Sequence, residues 1–233
     1  MKLFVYCFYC VREEKGKIYE FQNVEMENEG IYRLKCDNGH EYEMVTQNPH
    51  FEILFDMGAL ALLDGYTREA VSSFASTLER FYEYCIKVFL LKNKIKKEQI
   101  EATWKQVSKQ SERQLGAFYF LYLNEFNEGA PKFNQKMTEF RNNVIHNGYI
   151  PKTDEVIKYA KTIFDYITDI TPVLREKYDD FLDYPVLERK AKLNWNHAHT
   201  TIPTILYTVN DNGVTFEEGL ENLRARMKTG YFR

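Results

Sequence analysis

Apolar residues change their spacing near residue 50, and this change divides the chain into a strand-like part and a helical part. Up to about residue 46 the apolar runs are short and partly alternating, and polar turns separate them, which is typical of β-strands. We predict strands at residues 3–9, 17–21, 30–35 and 41–45. From Phe51 onward apolar residues recur at intervals of three and four, which indicates amphipathic helices.

The helical part contains five predicted helices and a shorter one near the C-terminus. The five run from Phe51 to Asp64-Gly65, from Thr67 through Phe89, over residues 98–126, from Phe133 to Asn147-Gly148, and from Pro151 past Pro172 to about residue 178. A capping box, Thr215-x-x-Glu218, predicts the last helix, which reaches about residue 227. Short connections between helices favour antiparallel neighbours in an up-and-down bundle.

The expected fold class is therefore mainly α. A small β module over residues 1–46 precedes a helical bundle over residues 50–178, and an extension over residues 179–233 follows, with a role that the sequence leaves open. The long second helix carries a regular apolar stripe that we expect at the centre of the bundle. Its members are Val71, Phe74, Leu78, Phe81, Cys85, Val88 and Phe89.

The composition is that of an ordinary globular protein, with 44% hydrophobic and 28% charged residues. A net charge of -3 argues against a general nucleic-acid coat protein, but not against an enzyme that grips RNA at one local site. No stretch approaches the roughly 20 apolar residues that a membrane helix needs. Four cysteines without an export signal fit a reducing compartment, so we expect a cytoplasmic protein that does not bind membranes.

Three of the four cysteines stand in two short clusters. Cys7-Phe-Tyr-Cys10 is followed, after a predicted hairpin, by Cys36-Asp-Asn-Gly-His40. Two turns that each offer two ligands make a closed, structural zinc site, and this segment resembles a zinc ribbon. The alternative is that these are free thiols in a strand-rich cap and that His40, the least regular ligand, is incidental. Four protein ligands leave no position for a reacting water, so we expect structural Zn²⁺ and no metal cofactor for catalysis.

The predicted zinc module is rich in acidic residues between Arg12 and Glu43, so its surface repels a phosphate backbone. We therefore interpret it as a structural or protein-recognition element. The fourth cysteine, Cys85, belongs to the apolar stripe and is expected to be an inert core residue.

A second candidate site lies near the end of the fourth predicted helix, in the segment Glu139-Phe-Arg-Asn-Asn-Val-Ile-His-Asn-Gly. Arg141, Asn142 and His146 all lie off the apolar stripe of this helix, so they face solvent or a partner. This segment resembles the Arg–polar–x–x–x–His signature of the HEPN superfamily of helical nucleotide-binding and RNA-cutting proteins. The resemblance extends over about residues 50–178, because the motif ends a helix of a bundle and another long helix follows it.

The resemblance implies a metal-independent endoribonuclease of the toxin or phage-defence kind. In such enzymes a ribose 2′-hydroxyl attacks the adjacent phosphate and leaves a 2′,3′-cyclic phosphate. By this resemblance His146 moves the proton, Arg141 stabilises phosphoryl charge, and Asn142 orients the histidine or the phosphate. Two protomers are expected to pair so that both motifs line one cleft. The implied partners are RNA, a second copy of the chain, and a protein trigger or antitoxin.

A different class of function also fits the sequence. In that class a zinc-ribbon adaptor has a helical domain that only dimerises or binds a nucleotide or a partner chain.

The roles of two further sequence features stay open. A basic patch of Lys94, Lys96, Lys97 and Lys105 contacts RNA or is a solvated helix face, and we interpret the pair His197-Ala-His199 as structural or accessory.

Overall fold

The structure, a computed structural model, describes residues 1–13, 22–193, 197–206 and 213–228. Within these residues it contains nine helices and five strands, so the chain is mainly helical. The strands are β1 (Lys2–Val5), β2 (Gln22–Glu25), β3 (Ile31–Lys35), β4 (Glu41–Thr46) and β5 (His197–Thr200). The helices are α1 (Phe8–Glu13), α2 (His50–Leu63), α3 (Thr67–Lys92), α4 (Lys97–Val107), α5 (Ser111–Phe126), α6 (Gln135–His146), α7 (Thr153–Leu182), α8 (Tyr184–Lys190) and α9 (Phe216–Lys228). The strand predicted at residues 17–21 lies outside the described residues.

The chain divides into two compact units. The first, here called the sheet unit, consists of the described residues of Met1–Asn48, Asp183–Pro203 and Glu221–Arg233. The second, here called the helical unit, consists of the described residues of Pro49–Leu182 and Thr204–Leu220. Residues 179–233, which the sequence sets apart as one extension, therefore contribute to both units.

The sheet unit contains two small sheets. Strands β1 and β2 pair antiparallel, with Leu3 opposite Val24. Strands β3 and β4, both predicted as strands, form an antiparallel hairpin, and β5 joins the free edge of β4 in parallel, so that His199 stands opposite Val45. A strand from the C-terminal part of the chain thus completes the sheet that the N-terminal part begins.

Arg189 of α8 stabilises the sheet unit at the end of β4. Its side chain is buried, with only 6% of the residue exposed, and it donates hydrogen bonds to the carbonyl oxygens of Thr46 at 2.6 Å and Asn48 at 2.9 Å. Burial lowers the pKa of Arg189, but a guanidinium remains charged in proteins. Gly30 makes room for it, because a Cβ atom there would lie 2.5 Å from Thr46 Oγ1 and 3.1 Å from the guanidinium, at a φ of +62°. The buried cation therefore supplies a charged donor to two buried backbone carbonyls.

The helical unit is built around α3, which packs against α2, α5, α6 and α7. Most of the predicted stripe is fully buried on this helix: Val71, Phe74, Phe81, Cys85, Val88 and Phe89 are 0% exposed. The Phe55 ring of α2 lies 5.1 Å from that of Phe74, so aromatic contacts join the first two helices. Leu78 is the exception, because it is only half-buried and lines a pocket described below.

Several predicted boundaries need correction. Residues 8–13 form helix α1, so the prediction of a strand over residues 3–9 is wrong beyond Val5. The predicted helix over residues 98–126 is two helices, α4 and α5, because the buried Gln114 side chain donates to Ser108 O at 2.7 Å and stabilises a turn between them. In α7 the residue with non-helical φ and ψ is Tyr178 rather than Pro172.

Two predicted helix caps are confirmed. Thr215 and Glu218 form a reciprocal capping box, in which the Glu218 amide donates to Thr215 Oγ1 at 3.2 Å and the Thr215 amide donates to the Glu218 carboxylate at 2.8 Å. At the end of α6 the chain turns through Asn147 and Gly148, whose φ is +72°. None of the described helices has the length and apolar character that a membrane crossing needs.

The role of Arg189 gives a prediction for stability. Replacing Arg189 with methionine keeps an apolar side chain of similar length but removes the donors to Thr46 and Asn48. We expect the free energy of unfolding to fall by about 2–3 kcal/mol in urea titrations, because two buried carbonyls lose charged partners. In the matched control, Arg33→Met removes an exposed ion pair with Glu43 and should cost less than about 1 kcal/mol. Equal losses in both variants would contradict this role.

Candidate metal centre and candidate catalytic site

The four predicted zinc ligands are presented by two local structures. Cys7 precedes α1, and the hydrogen bond from the Val11 amide to Cys7 O, at 3.1 Å, closes the first turn and brings Cys10 to the same side. Cys36 and His40 flank the tight turn between β3 and β4, in which the Gly39 amide donates to Cys36 O at 2.9 Å. Gly39 has a φ of +86°, a conformation that favours glycine.

The ligand atoms of these four side chains all lie within 4.8 Å of one another. Cys10 Sγ lies 3.7 Å from Cys36 Sγ, and the distances from His40 Nδ1 to the sulfur atoms of Cys10, Cys36 and Cys7 are 3.3, 3.5 and 3.8 Å. A tetrahedral zinc ion with Zn–S bonds of about 2.3 Å and a Zn–N bond of about 2.0 Å separates two sulfurs by roughly 3.8 Å and a sulfur from the nitrogen by roughly 3.5 Å. The observed distances match this geometry, so the donor set fits zinc.

The thiols influence one another's pKa, as expected for ligands that are gathered for a cation. The Asn38 side chain donates to Cys10 Sγ at 3.3 Å, which favours the thiolate, but desolvation and the neighbouring thiols of Cys36 and Cys7 raise the pKa of Cys10 to about 11. Desolvation raises the pKa of Cys36, yet hydrogen bonds from the His40 backbone and from the other thiols lower it to about 7. Cys36 therefore loses its proton more readily than Cys10, because a second thiolate beside the first is repelled by its negative charge. A divalent cation between the sulfur atoms would offset this repulsion.

Glu13 supports the histidine ligand. Its Oε2 lies 3.2 Å from His40 Nε2, the ring nitrogen that faces away from the sulfurs. A carboxylate at this position fixes the ring orientation and leaves Nδ1 as the metal ligand. The sequence gives no sign of this residue's role, because Glu13 reaches His40 only through helix α1, which the sequence pattern does not predict.

The candidate catalytic side chains lie on α6, in the helical unit. Arg141 donates through Nη2 to Glu79 Oε1 and through Nη1 to Asn142 Oδ1, both at 3.0 Å. Glu79 belongs to α3, so this ion pair joins the two helices. The exposed fractions of the two side chains are 21% for Arg141 and 28% for Glu79, which leaves the guanidinium accessible to a ligand. Sequence reasoning missed Glu79, since it precedes Arg141 by more than sixty residues.

His146 is the last residue of α6 and is exposed, as is Asn142 one turn earlier. Arg141 and Asn142 line a pocket together with Glu79, whereas His146 lies about 6 Å farther along the helix axis than Asn142. The structure therefore brings Arg141, Asn142 and Glu79 together. It leaves the imidazole at the open end of the same helix.

The other candidate residues do not form a comparable site. Lys94, Lys96, Lys97 and Lys105 are all exposed around the start of α4 and along it. His197 and His199 lie on one side of β5, with ring centroids 5.0 Å apart. Within the described part of the chain, the cysteine–histidine cluster is the one group of three or more side chains arranged to hold a metal ion.

The cluster predicts the metal content of the protein. Purified protein should contain close to one zinc per chain, measured by plasma mass spectrometry, and Cys7→Ser should lose it because a closed site needs all four ligands. Cys85→Ala is the matched control. Cys85 is fully buried in the helical unit, and burial raises the pKa of its thiol, so its removal should leave the zinc content unchanged. A metal-free parent protein would contradict this prediction.

Glu13 yields a separate prediction. Glu13→Gln should weaken zinc affinity by about 10–100-fold, because the amide holds the His40 ring less firmly. The measurement is a competition titration against a chromophoric chelator. Glu25→Gln removes an equal charge from an exposed position of the sheet unit and serves as the control. The same loss in both variants would indicate a general charge effect instead.

Comparison of the chain with protein-family models, with curated proteins and with solved structures found no match. The functional conclusions below therefore rest on the residues and on their geometry. The cysteine–histidine cluster supports a structural metal site. The Arg141 site supports a proposal for activity.

Proposed function

We propose that the helical unit is a metal-independent endoribonuclease of the HEPN type, and that the sheet unit carries a structural zinc ion. The observation that carries this proposal is the arrangement on α6. A guanidinium is held at a pocket by Glu79 and Asn142, and an exposed imidazole follows one turn later at the end of the same helix. A guanidinium can stabilise phosphoryl charge and an imidazole can transfer protons, which are the two tasks in RNA cleavage through the 2′-hydroxyl.

In the proposed reaction the bond from the 2′ oxygen to phosphorus forms while the bond from phosphorus to the 5′ oxygen breaks. The products are a 2′,3′-cyclic phosphate and a 5′-hydroxyl. One base must accept the proton of the 2′-hydroxyl, and one acid must donate a proton to the leaving 5′ oxygen. Histidine suits both roles because it gains and loses a proton near neutral pH.

Arg141 is suited to stabilise the charge that develops on the phosphoryl oxygens. A guanidinium has five N–H groups in a planar fork, and Asn142 and Glu79 each accept a hydrogen bond from it. The remaining donors can reach phosphoryl oxygens. Glu79 also fixes the position of the guanidinium before substrate binds, so little reorganisation is needed in the transition state.

Each α6 helix offers a single motif histidine, whereas the reaction uses both a proton acceptor and a proton donor. We therefore propose that two copies of the chain pair so that both α6 ends line one cleft. The exposure of His146 and Asn142 supports this arrangement, because neither is used in the core of its own helical unit. A toxin or phage-defence role, with a protein trigger or antitoxin, follows from the resemblance to the HEPN superfamily.

The proposal predicts the effect of three substitutions on the cleavage of total RNA. His146→Ala and Arg141→Ala should each lower the rate by about 100-fold or more, because they remove proton transfer and charge stabilisation. Lys136→Ala removes an exposed positive charge from the same helix without touching the motif, and its rate should stay at that of the parent. Mass spectrometry of the fragments should find 2′,3′-cyclic phosphate ends.

One observation favours a non-catalytic interaction module as the second candidate. The Arg141–Glu79 ion pair, taken alone, is also a structural tie between α6 and α3. In that case Arg141→Ala would lower the stability of the helical unit, and the parent protein would cleave no RNA, with or without cell extract as a source of a trigger. Cleavage by the parent that is lost in His146→Ala would exclude this candidate.

A further inference from the structure

The pocket beside Arg141 has a cavity volume of about 180 Å³, and helices α3, α5, α6 and α7 all contribute to its wall. Part of the wall is aromatic, from Tyr82, Tyr119, Phe133 and Tyr159. Tyr82 and Tyr159 are almost fully buried, with 4% and 2% exposure, so the pocket reaches the core of the helical unit. Flat rings at its wall make it suitable for a planar ligand.

The pocket and the proposed reaction site share residues. Arg141 and Asn142 line the pocket, and His146 lies about 6 Å farther along α6. A group in the pocket therefore lies beside Arg141, where the scissile phosphate is proposed to bind. The volume is below the roughly 300–1,000 Å³ of sites for drug-sized molecules, so it suits one ring system rather than a whole nucleotide.

The charged side chains of the pocket favour the base of a nucleotide over its phosphate as the group that binds inside. Two carboxylates, of Glu79 and Glu112, line the pocket beside the single guanidinium. They repel a phosphate from its interior but accept hydrogen bonds from N–H groups of a neutral base. Glu79 is already engaged by Arg141, whereas Glu112 is exposed in the first turn of α5 and its Oε2 accepts a long hydrogen bond of 3.4 Å from Ser111 Oγ. Glu112 is thus the better placed acceptor.

The geometry points to this pocket as a subsite for the base of the nucleotide beside the scissile phosphate, with guanine preferred over uracil. Guanine presents two adjacent donors, a ring N–H and an exocyclic amino group, to the two oxygens of one carboxylate, whereas uracil presents a single donor between two carbonyls. The aromatic wall supplies stacking for either base. This subsite rests on the proposed nuclease function for its place in a reaction, but binding by itself can be measured without cleavage.

The test uses guanosine 3′-monophosphate and uridine 3′-monophosphate as probes, titrated into the full chain and followed by calorimetry. The guanosine nucleotide should bind at least about fivefold more tightly. Glu112→Gln should remove most of this ratio, because the amide presents one acceptor and one donor group in place of two acceptors. Tyr119→Leu should weaken both probes by at least about fivefold through lost stacking. Glu98→Gln, on α4 and outside the pocket, is the control and should keep the ratio of the parent.

The outcomes separate this subsite from the nuclease proposal. Equal binding of the two probes, binding of neither, or an unchanged ratio in Glu112→Gln would overturn the subsite, even if the protein cleaves RNA at His146-dependent positions. Guanosine-selective binding that Glu112→Gln abolishes supports the subsite, even if no RNA is cleaved, and only the nuclease proposal then fails. If both proposals hold, cleavage of oligouridylate with one guanosine should occur beside that guanosine.

Discussion

Burial of the apolar face of α3 is the interaction on which the helical unit depends. Phe74, Phe81, Val88 and Phe89 are all 0% exposed, and neighbouring helices cover them from several sides. Each such side chain contributes about 1.5–3 kcal/mol when it leaves water. No comparable driving force acts on the shorter helices α4 and α6, which have two and one buried residues. Helices α4 and α6 take the positions at which they cover apolar surface of α3 that the other helices leave exposed.

The candidate catalytic site arises where this covering is incomplete. At Leu78 the apolar stripe of α3 is only half-buried, and beside it Glu79 contacts Arg141 of α6 rather than a large apolar side chain. The gap is a pocket with an aromatic wall and a charged rim. A fixed guanidinium beside such a pocket supports the proposal of a site for an anionic ligand with a planar group, such as a nucleotide.

The sheet unit is held together differently, because its strands are too short to bury a large core. Two polar clusters take the place of such a core. The cysteine–histidine cluster gathers α1 and the β3–β4 turn around a geometry suited to one zinc ion, and Arg189 satisfies carbonyls of the segment that follows β4. Disruption of either cluster should destabilise the sheet unit, because metal binding contributes free energy to folding and because the buried carbonyls of Thr46 and Asn48 lose a charged donor.

The sequence by itself determined the helical stripe of α3, the capping box at Thr215 and the two short ligand clusters, because these signals are local: they depend on residues only a few positions apart. Only the tertiary structure decided that His40 Nδ1 meets the three sulfurs with Glu13 behind it, that Glu79 holds Arg141, and that β5 and Arg189 complete the sheet unit. These contacts join residues far apart in the chain, and no local spacing encodes which of the many acidic and basic residues will meet. The sequence pattern does not predict helix α1 because the turn that carries Cys7 and Cys10 outweighs local propensity there. It does not predict the break between α4 and α5 because that break depends on the hydrogen bond of the buried Gln114 side chain.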